Sequence, residues 1–414
     1  MRAKLLFVSV IAGLVIALFC FAYSEQAGAQ GTTDVKTVKI GLICPQSGPV
    51  AYTGMGVLRG AAVAVKNINE KGTAGKGPEG ILVGNQRYKL ELVTYDDSAD
   101  PAKSVAGMRR LVELNKVHVI VGPFGTPSTW ACQAVNVQLG VLFDGMTQHD
   151  QSRKKGNPLF VTGRAPTIYY GGPMAQACIE KGYKTAAVVT DIVESYVAHG
   201  KMFAEKFEAL GGKVVESETV DVKTTTDFHS VMTKVKAKNP DVIFVAVVEE
   251  PLTLAVTHAL DVGYKGKFIF TSDWGAKAEK ILGLQKVEGA LVQAQRPVYF
   301  TKYPSEDKKG YFTAFRKQYL QTYKEDFPMP ACSGYDDTYM FARAMEIANT
   351  FTDSYAIRGA CPKALEEGKL PLIYANTDVL KNGLLVGDAD FLLEIKGGEY
   401  RFIKELRAPR EILE

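Results

Sequence analysis

No run of five to eight Lys or Arg residues occurs in the 414-residue chain, and the formal net charge is only +4. That excludes the electrostatic footprint of a nucleic-acid binder or a polybasic membrane anchor. Walker A, G-x-S-x-G and H-E-x-x-H sequences are also lacking, so the usual signatures of nucleotide, ester and zinc-dependent peptide chemistry are absent. Cysteine is scarce, with six in all, and no C-x-x-C or Cys/His spacing would hold zinc. The five histidines are scattered, and His149, on a presumptive site loop, reads as solvated. GMGVLRG (54–60) falls short of a dinucleotide fingerprint because Arg59 stands where the third glycine belongs and Gly60 is out of register. It reads instead as close helix packing. No catalytic residue, metal or cofactor is expected, and the chain does not read as an enzyme.

What is present is an ordinary globular balance, 46% hydrophobic and 23% charged, long enough for two domains. The first thirty residues differ. Arg2 and Lys4 precede the apolar stretch Leu5–Tyr23, and Ala27-Gly28-Ala29 fits a small-x-small cleavage site. This reads as a secretory signal peptide (1–29) cut near Ala29; an uncleaved anchor is the alternative. Phe19 in Ala17-Leu18-Phe19-Cys20 argues against a lipoprotein box. Cleavage leaves Cys44, Cys132, Cys178, Cys332 and Cys361, an odd number in a compartment that permits disulfides. Cys332–Cys361 is the expected pair.

Strands and helices then alternate. Continuous apolar runs at 38–44 and 117–123 read as strands covered on both faces. YKLELVTYDD (88–97) and VLFDG (141–145) are further strands. Helices are expected at 56–72, at 100–115 with Asp100 as N-cap and Pro101 next, and at 127–140. The series restarts after 151–158, with helices at 167–182, 196–212 and 227–240 and strands at 184–191, 241–248 and 267–273. Helices at 308–324 and 335–350 and short strands near 383–404 complete it. The pattern implies an α/β fold of two doubly wound, Rossmann-like lobes with parallel sheets. Ligands in such sheets bind beyond the carboxyl ends of the strands. Those ends include 45–48, 123–129, 145–148, 191–196, Glu249-Glu250 and 272–274, and they are rich in hydroxyls, glycines, acids and aromatics.

KIGLICPQSGPVAYTGMGVLRGAAVAVKNINEKG, followed by VTYDDSADPAKSVAGMRRLVELNKVHVIVGP, resembles the type I periplasmic binding proteins of branched-chain amino acid ABC transporters, the Leu/Ile/Val-binding protein-like family. The resemblance runs from about Val38 to Glu405. It implies a three-segment hinge near Gly163–Pro166, Gln293–Val298 and Leu384–Gly387. The first lobe would be 38–163 plus 297–384, and the second 164–296 plus 385–406. It also implies a periplasmic monomer that closes on a small-molecule ligand and hands it to an ABC permease of the inner membrane.

The same resemblance places the ligand carboxylate on the first lobe, at Thr126 and Ser128 of GTPST and Met146 and Thr147 of GMTQ. Ser128 or Thr129 could instead cap the helix that follows. Tyr52 and Thr53 would line the wall or form a surface turn. In the second lobe Tyr196 would pack on the ligand, or simply at a helix start, and Asp273 would take the ammonium or serve a turn. A cysteine pair common in such first lobes is replaced by Ala99 and Gly125. Glu249 stands where leucine-type binders carry an aromatic. An acid in a closed cleft is costly unless paired. It would share the ammonium with Asp273, meet a second basic group of the ligand, pair with a residue such as Arg164, or face solvent. Glu250 would face out and cap a helix beginning at Pro251; Trp274 would stack on the ligand or pack between elements. The expected ligand is an amino acid or related zwitterion with a polar or basic side chain. Amide, urea-like or aromatic carboxylate ligands are the alternative, and an exported enzyme or sensor ectodomain the alternative from another class.

Overall fold

TVKIGLIC forms the first strand, β1 (Thr37–Cys44), and its last five residues are all buried, as a strand covered on both faces requires. The computed structural model describes residues 36–154, 156–164, 170–271, 276–374, 377–379, 385–387 and 390–406. The expected signal segment lies outside them. Among the described residues no helix is long and apolar enough to cross a membrane.

After β1 come α1 (Ala51–Lys71), β2 (Ile81–Val83), β3 (Gln86–Asp96), α2 (Pro101–Glu113), β4 (Val119–Phe124), α3 (Thr126–Gln133), β5 (Leu142–Met146), α4 (Asp150–Lys154) and β6 (Phe160–Val161). Their strands form a six-stranded sheet in the order β2-β3-β1-β4-β5-β6. β1, β4, β5 and β6 run parallel, with Ile40 opposite Val119 and Val119 opposite Leu142. As expected, Asp100 caps α2: its Oδ1 accepts from the Lys103 amide at 2.9 Å, with Pro101 next in line.

Then follow α5 (Gly172–Glu180), β7 (Thr185–Asp191), α6 (Glu194–Ala209), β8 (Lys213–Val220), α7 (His229–Ala237), β9 (Val242–Ala246), α8 (Glu249–Asp261), β10 (Lys267–Phe270), α9 (Ala276–Leu282) and β11 (Leu291–Ala294). These strands build a second sheet, β15-β14-β11-β10-β9-β7-β8. Its members β8, β7, β9, β10 and β11 are parallel. The antiparallel edge comes from the end of the chain, β14 (Asp390–Lys396) and β15 (Glu399–Leu406).

Between β11 and β14 lie α10 (Arg296–Lys302), α11 (Tyr311–Tyr323), α12 (Pro330–Ala348), α13 (Ser354–Glu366) and the hairpin of β12 (Thr377–Val379) with β13 (Leu385–Gly387). The helices α11, α12 and α13 share one apolar core with β1, β4 and α1. The chain thus leaves the first sheet after β6, returns to its core after β11, and joins the second sheet again at β14.

α1 and α12 pack backbone to backbone. A Cβ on Gly60 would stand 1.8 Å from the Ala331 carbonyl oxygen, and one on Gly334 would stand 2.1 Å from that of Val57. Gly54 and Gly56 are equally closed in, by Pro45 and Pro328. The near-fingerprint GMGVLRG is therefore a packing motif.

The expected Cys332–Cys361 disulfide is absent. All five described cysteines are buried free thiols, with Cys332 on α12 and Cys361 on α13. Nearness along the chain does not fix which helix face each sulfur occupies.

Candidate functional site: a cleft between the two sheets

Carboxyl ends of strands from both sheets open onto one cleft, which holds roughly 880 Å³ of empty space, open solvent at its mouth included. From the first sheet come Phe124 at the end of β4, the turn Gly125–Ser128 into α3, and Met146–Gln148 after β5. From the second come Asp191, Val193, Ser195 and Tyr196 after β7, Val222 and Lys223 after β8, and Val248 after β9. Val50, Ala99, Arg164, Met329 and Pro330 complete the wall.

The turn before α3 depends on Gly125, whose φ of +94° is left-handed backbone that favours glycine. Thr126 follows and is buried; its Oγ1 lies 2.8 Å from Thr147 Oγ1 of the neighbouring loop. Neither Ser128 nor Thr129 caps α3. The helix begins at Thr126, earlier than expected, with Gly125 in the cap position. Ser128 Oγ instead lies 2.9 Å from Ser104 Oγ, which bonds to buried Asp97 at 2.7 Å. Thr129 Oγ1 donates to the Gly125 carbonyl at 2.8 Å.

Gln148 of the cleft wall belongs to a hydrogen-bonded relay. Tyr170 Oη accepts from Gln148 Nε2 at 2.8 Å and from Gln295 Nε2 at 2.7 Å. Tyr374 donates to Gln295 Oε1 at 2.9 Å. Residues after β5, before α5, after β11 and before β12 are thereby joined. Beside the relay lies Arg164, buried, with Nη2 lacking a hydrogen-bond partner. Burial alone would lower its pKa, but Tyr374, Asp337, Asp144 and Tyr170 around it prevail and raise it. Burial pushes Asp337 up to about 7, against the pull of Arg164. It also pushes Asp336 up to about 8, opposed by the amides of Ile373 and Tyr374. Asp144 is raised well above the usual carboxylate range by burial and by Asp337.

Asp191 ends β7 and is 2% exposed, with no partner for Oδ1. Burial lifts it to about 6, although the amides of Ile192, Val222 and Val193 favour its ionised form.

Of the residues singled out in the sequence, Thr126, Ser128, Met146, Thr147 and Tyr196 meet in the cleft. Tyr52 does not line it; Val50 occupies that part of the wall. Glu249 begins α8, two residues before the expected start at Pro251, and Glu250 is in its first turn rather than capping it. The side chain of Glu249 lies outside the described residues, as do Asp273 and Trp274. His149 also stands off the cleft, edge-on to Trp130 at 5.1 Å. Sequence reading placed Asp191 on the ligand-side strand end 191–196 without giving it a contact, named Arg164 only as a partner for Glu249, and missed Lys223. Asp191 had a legible signal, its place at a strand's carboxyl end; Lys223 had none.

Among the described residues, Asp227, His229 and His258 bring potential metal-ligand atoms within 4.8 Å of one another. His258 Nδ1 already accepts from the Phe228 amide at 2.9 Å, and the two rings stack at 3.8 Å in near-parallel planes. None of the three lines the cleft.

A family model described as periplasmic binding protein matches residues 37–398. A Leu/Ile/Val-binding protein homolog of Brucella abortus is 25% identical over 377 residues, covering 84% of this chain and 86% of the relative. Among solved structures, a leucine-binding protein from Thermotoga maritima superposes with a TM-score of 0.73 at 21% identity, covering 89% of this chain and 99% of its own. A solute-binding protein of an ABC transporter from Rhodopseudomonas palustris, in complex with benzoate, gives 0.75 at 18% identity, covering 90% and 97%. The match over most of its length means that this chain belongs to the periplasmic binding protein family.

Proposed function

We propose that the chain is an extracytoplasmic solute-binding protein that captures a small amino acid or related zwitterion and delivers it to an ABC permease of the inner membrane. The observation that carries this reading is the cleft lined by strand ends of both sheets. A ligand there touches both sides, so its binding energy favours the closed form. The lobes would be 38–163 plus 297–384 and 164–296 plus 385–406, acting as a monomer in the periplasm after loss of residues 1–29. Thr126, Ser128, Met146, Thr147 and Tyr196 would contact the ligand. Asp273, Glu249 and Trp274 are proposed contacts on the second lobe, Glu249 requiring a cation if it faces the ligand.

Thermal unfolding of the mature protein, refolded from denaturant to strip carried ligand, tests this against amino acids, amides and aromatic acids. A binder at 100 times its Kd adds ~2.7 kcal/mol. A shift with one or a few amino acids is expected; silence across all of them contradicts the reading.

A second reading, an aromatic carboxylate, is favoured by the mainly apolar wall beside Arg164. Stabilisation by benzoate or 4-hydroxybenzoate alone would select it.

A further inference from the structure

A second cavity, with roughly 370 Å³ of empty space including open solvent, shares Arg164 with the cleft. Arg164 enters it from the segment after β6, Ser333, Asp336 and Asp337 from α12, and Tyr374 from the segment before β12. Asp337 is 7% exposed, and its Oδ2 has no hydrogen-bond partner among the described residues; nor has Arg164 Nη2. An acceptor and a donor that line one cavity without meeting leave room for a third body. We infer that this cavity is a site for a monovalent metal cation such as sodium, held by the carboxylates of Asp337 and Asp336 and the hydroxyl of Ser333. The inference does not depend on which solute the cleft takes.

The charges around the cavity select the sign of the occupant. Asp144, Asp336 and Asp337 form one electrostatic cluster with Arg164. Against these three carboxylates stand Arg164 and, beside Asp144, Arg153. Arg153 also faces the more exposed Asp150, at 3.9 Å. The other titratable groups around Arg164 and Asp336 are Tyr170, Tyr374 and Cys332, and burial holds Tyr374 and Cys332 in their neutral forms. With the three acids ionised, one negative charge of the cluster has no counter-charge, and an uncompensated buried charge is costly. A single monovalent cation removes that imbalance. A divalent ion overshoots it, and an anion deepens it. The donors suit a hard cation, which takes oxygen ligands. Asp336 is fixed in place, because its two oxygens accept from the amides of Ile373 and Tyr374 at 2.9 Å each. Each of those oxygens keeps a second lone pair. Ser333 is buried on the same helix, one turn before Asp337.

Thermal unfolding of the refolded protein at about pH 8.5, where free carboxylates are ionised, tests this with sodium chloride exchanged for choline chloride at fixed ionic strength. Sodium is expected to raise the unfolding temperature by about 2 °C or more and to saturate, as binding to the folded state alone requires. Potassium is the second probe, and choline, too large for the cavity, should do nothing. Asp337→Asn removes the charge and one carboxylate oxygen with little change in volume, and should abolish the sodium response. Ser333→Ala should raise the half-saturating sodium concentration by about tenfold. The inference is overturned if sodium, potassium and choline act alike, which would mean that the cavity holds water. It is also overturned if the sodium response survives in Asp337→Asn. A response to calcium chloride with none to sodium or potassium overturns the monovalent assignment. If Asp337→Asn does not fold, the comparison of salts on the wild type still decides, with Ser333→Ala as the second variant.

Discussion

Lys223 donates its ammonium to the carbonyl oxygen of Ala99 at 2.8 Å, and the two residues stand on opposite sides of the cleft. Ala99 follows β3 of the first sheet, in a left-handed conformation with φ of +57°. Its amide donates to Asp97 Oδ1 at 3.0 Å, which fixes the direction of its carbonyl. Lys223 follows β8 of the second sheet, and its own amide donates to Asp221 Oδ1 at 3.0 Å. The contact is thus a latch between two turns that are each braced from within.

Lys223→Ala removes the latch without entering the cores. Lys223 is exposed, so its bond is worth about 0.5–1.5 kcal/mol, or roughly two- to tenfold in affinity. The loss should appear as faster ligand release in stopped-flow displacement, with little change in association rate. An unchanged release rate would mean that the latch does not contribute to closure.

Gly60→Ala tests the contact of α1 with α12. The new methyl would meet the Ala331 carbonyl, which belongs to a helix backbone and cannot rotate away. The expected loss is about 1–3 kcal/mol or more in urea unfolding. Gly359→Ala, in the exposed interior of α13 where a Cβ meets nothing within 4 Å, is the control and should stabilise by about 0.5–1 kcal/mol through helix propensity alone.

Stability should fall as pH rises from about 4 to 8. Asp336 and Asp337 are held near 8 and 7 by burial, against about 3.9 for the unfolded chain. Groups raised in this way give their full stabilisation below the unfolded value and lose it as pH passes the folded one. Unfolding at a series of pH values measures this, and Asp337→Asn should reduce the slope.

Affinity for an amino acid should fall as pH drops through about 6, where Asp191 gains its proton. Asp221 is the other acid acting on it, and raises its pKa. Because Asp336 and Asp337 titrate at higher pH, the comparison is between the wild type and Asp191→Asn, which should lack this component of the profile.

The thiols should be silent. Burial pushes Cys132 and Cys361 up to about 12, and a buried thiol held protonated is a poor nucleophile. A thiol reagent should find no reactive cysteine among Cys44, Cys132, Cys178, Cys332 and Cys361 in the native protein, and all five after denaturation. A reducing agent should leave the unfolding temperature unchanged.

The two sheets were legible because parallel strands buried on both faces read as unbroken apolar runs, as in VKIGLIC and VIFVA. Strand ends followed, and the family resemblance singled out Thr126, Met146, Thr147 and Tyr196 on them. Helix starts were less legible. Pro127 and Pro251 do sit in first turns, but as the second and third helical residues, since α3 begins at Thr126 and α8 at Glu249. The α1–α12 contact joins residues more than 270 positions apart, and no local pattern announces it. Lys223 and Arg164 were illegible as cleft residues for the same reason: their positions are set by how separate segments fold back on one another.

The most direct test of a ligand site between the sheets is calorimetric titration of the strongest amino acid from the thermal panel into two proteins, the wild type and Ser195→Trp. Ser195 is buried and lines the cleft from the second sheet's side, so an indole there fills the ligand space. The expected result is one equivalent bound by the wild type and none by a variant that melts cooperatively. Equal binding by both would place the ligand elsewhere and contradict the account.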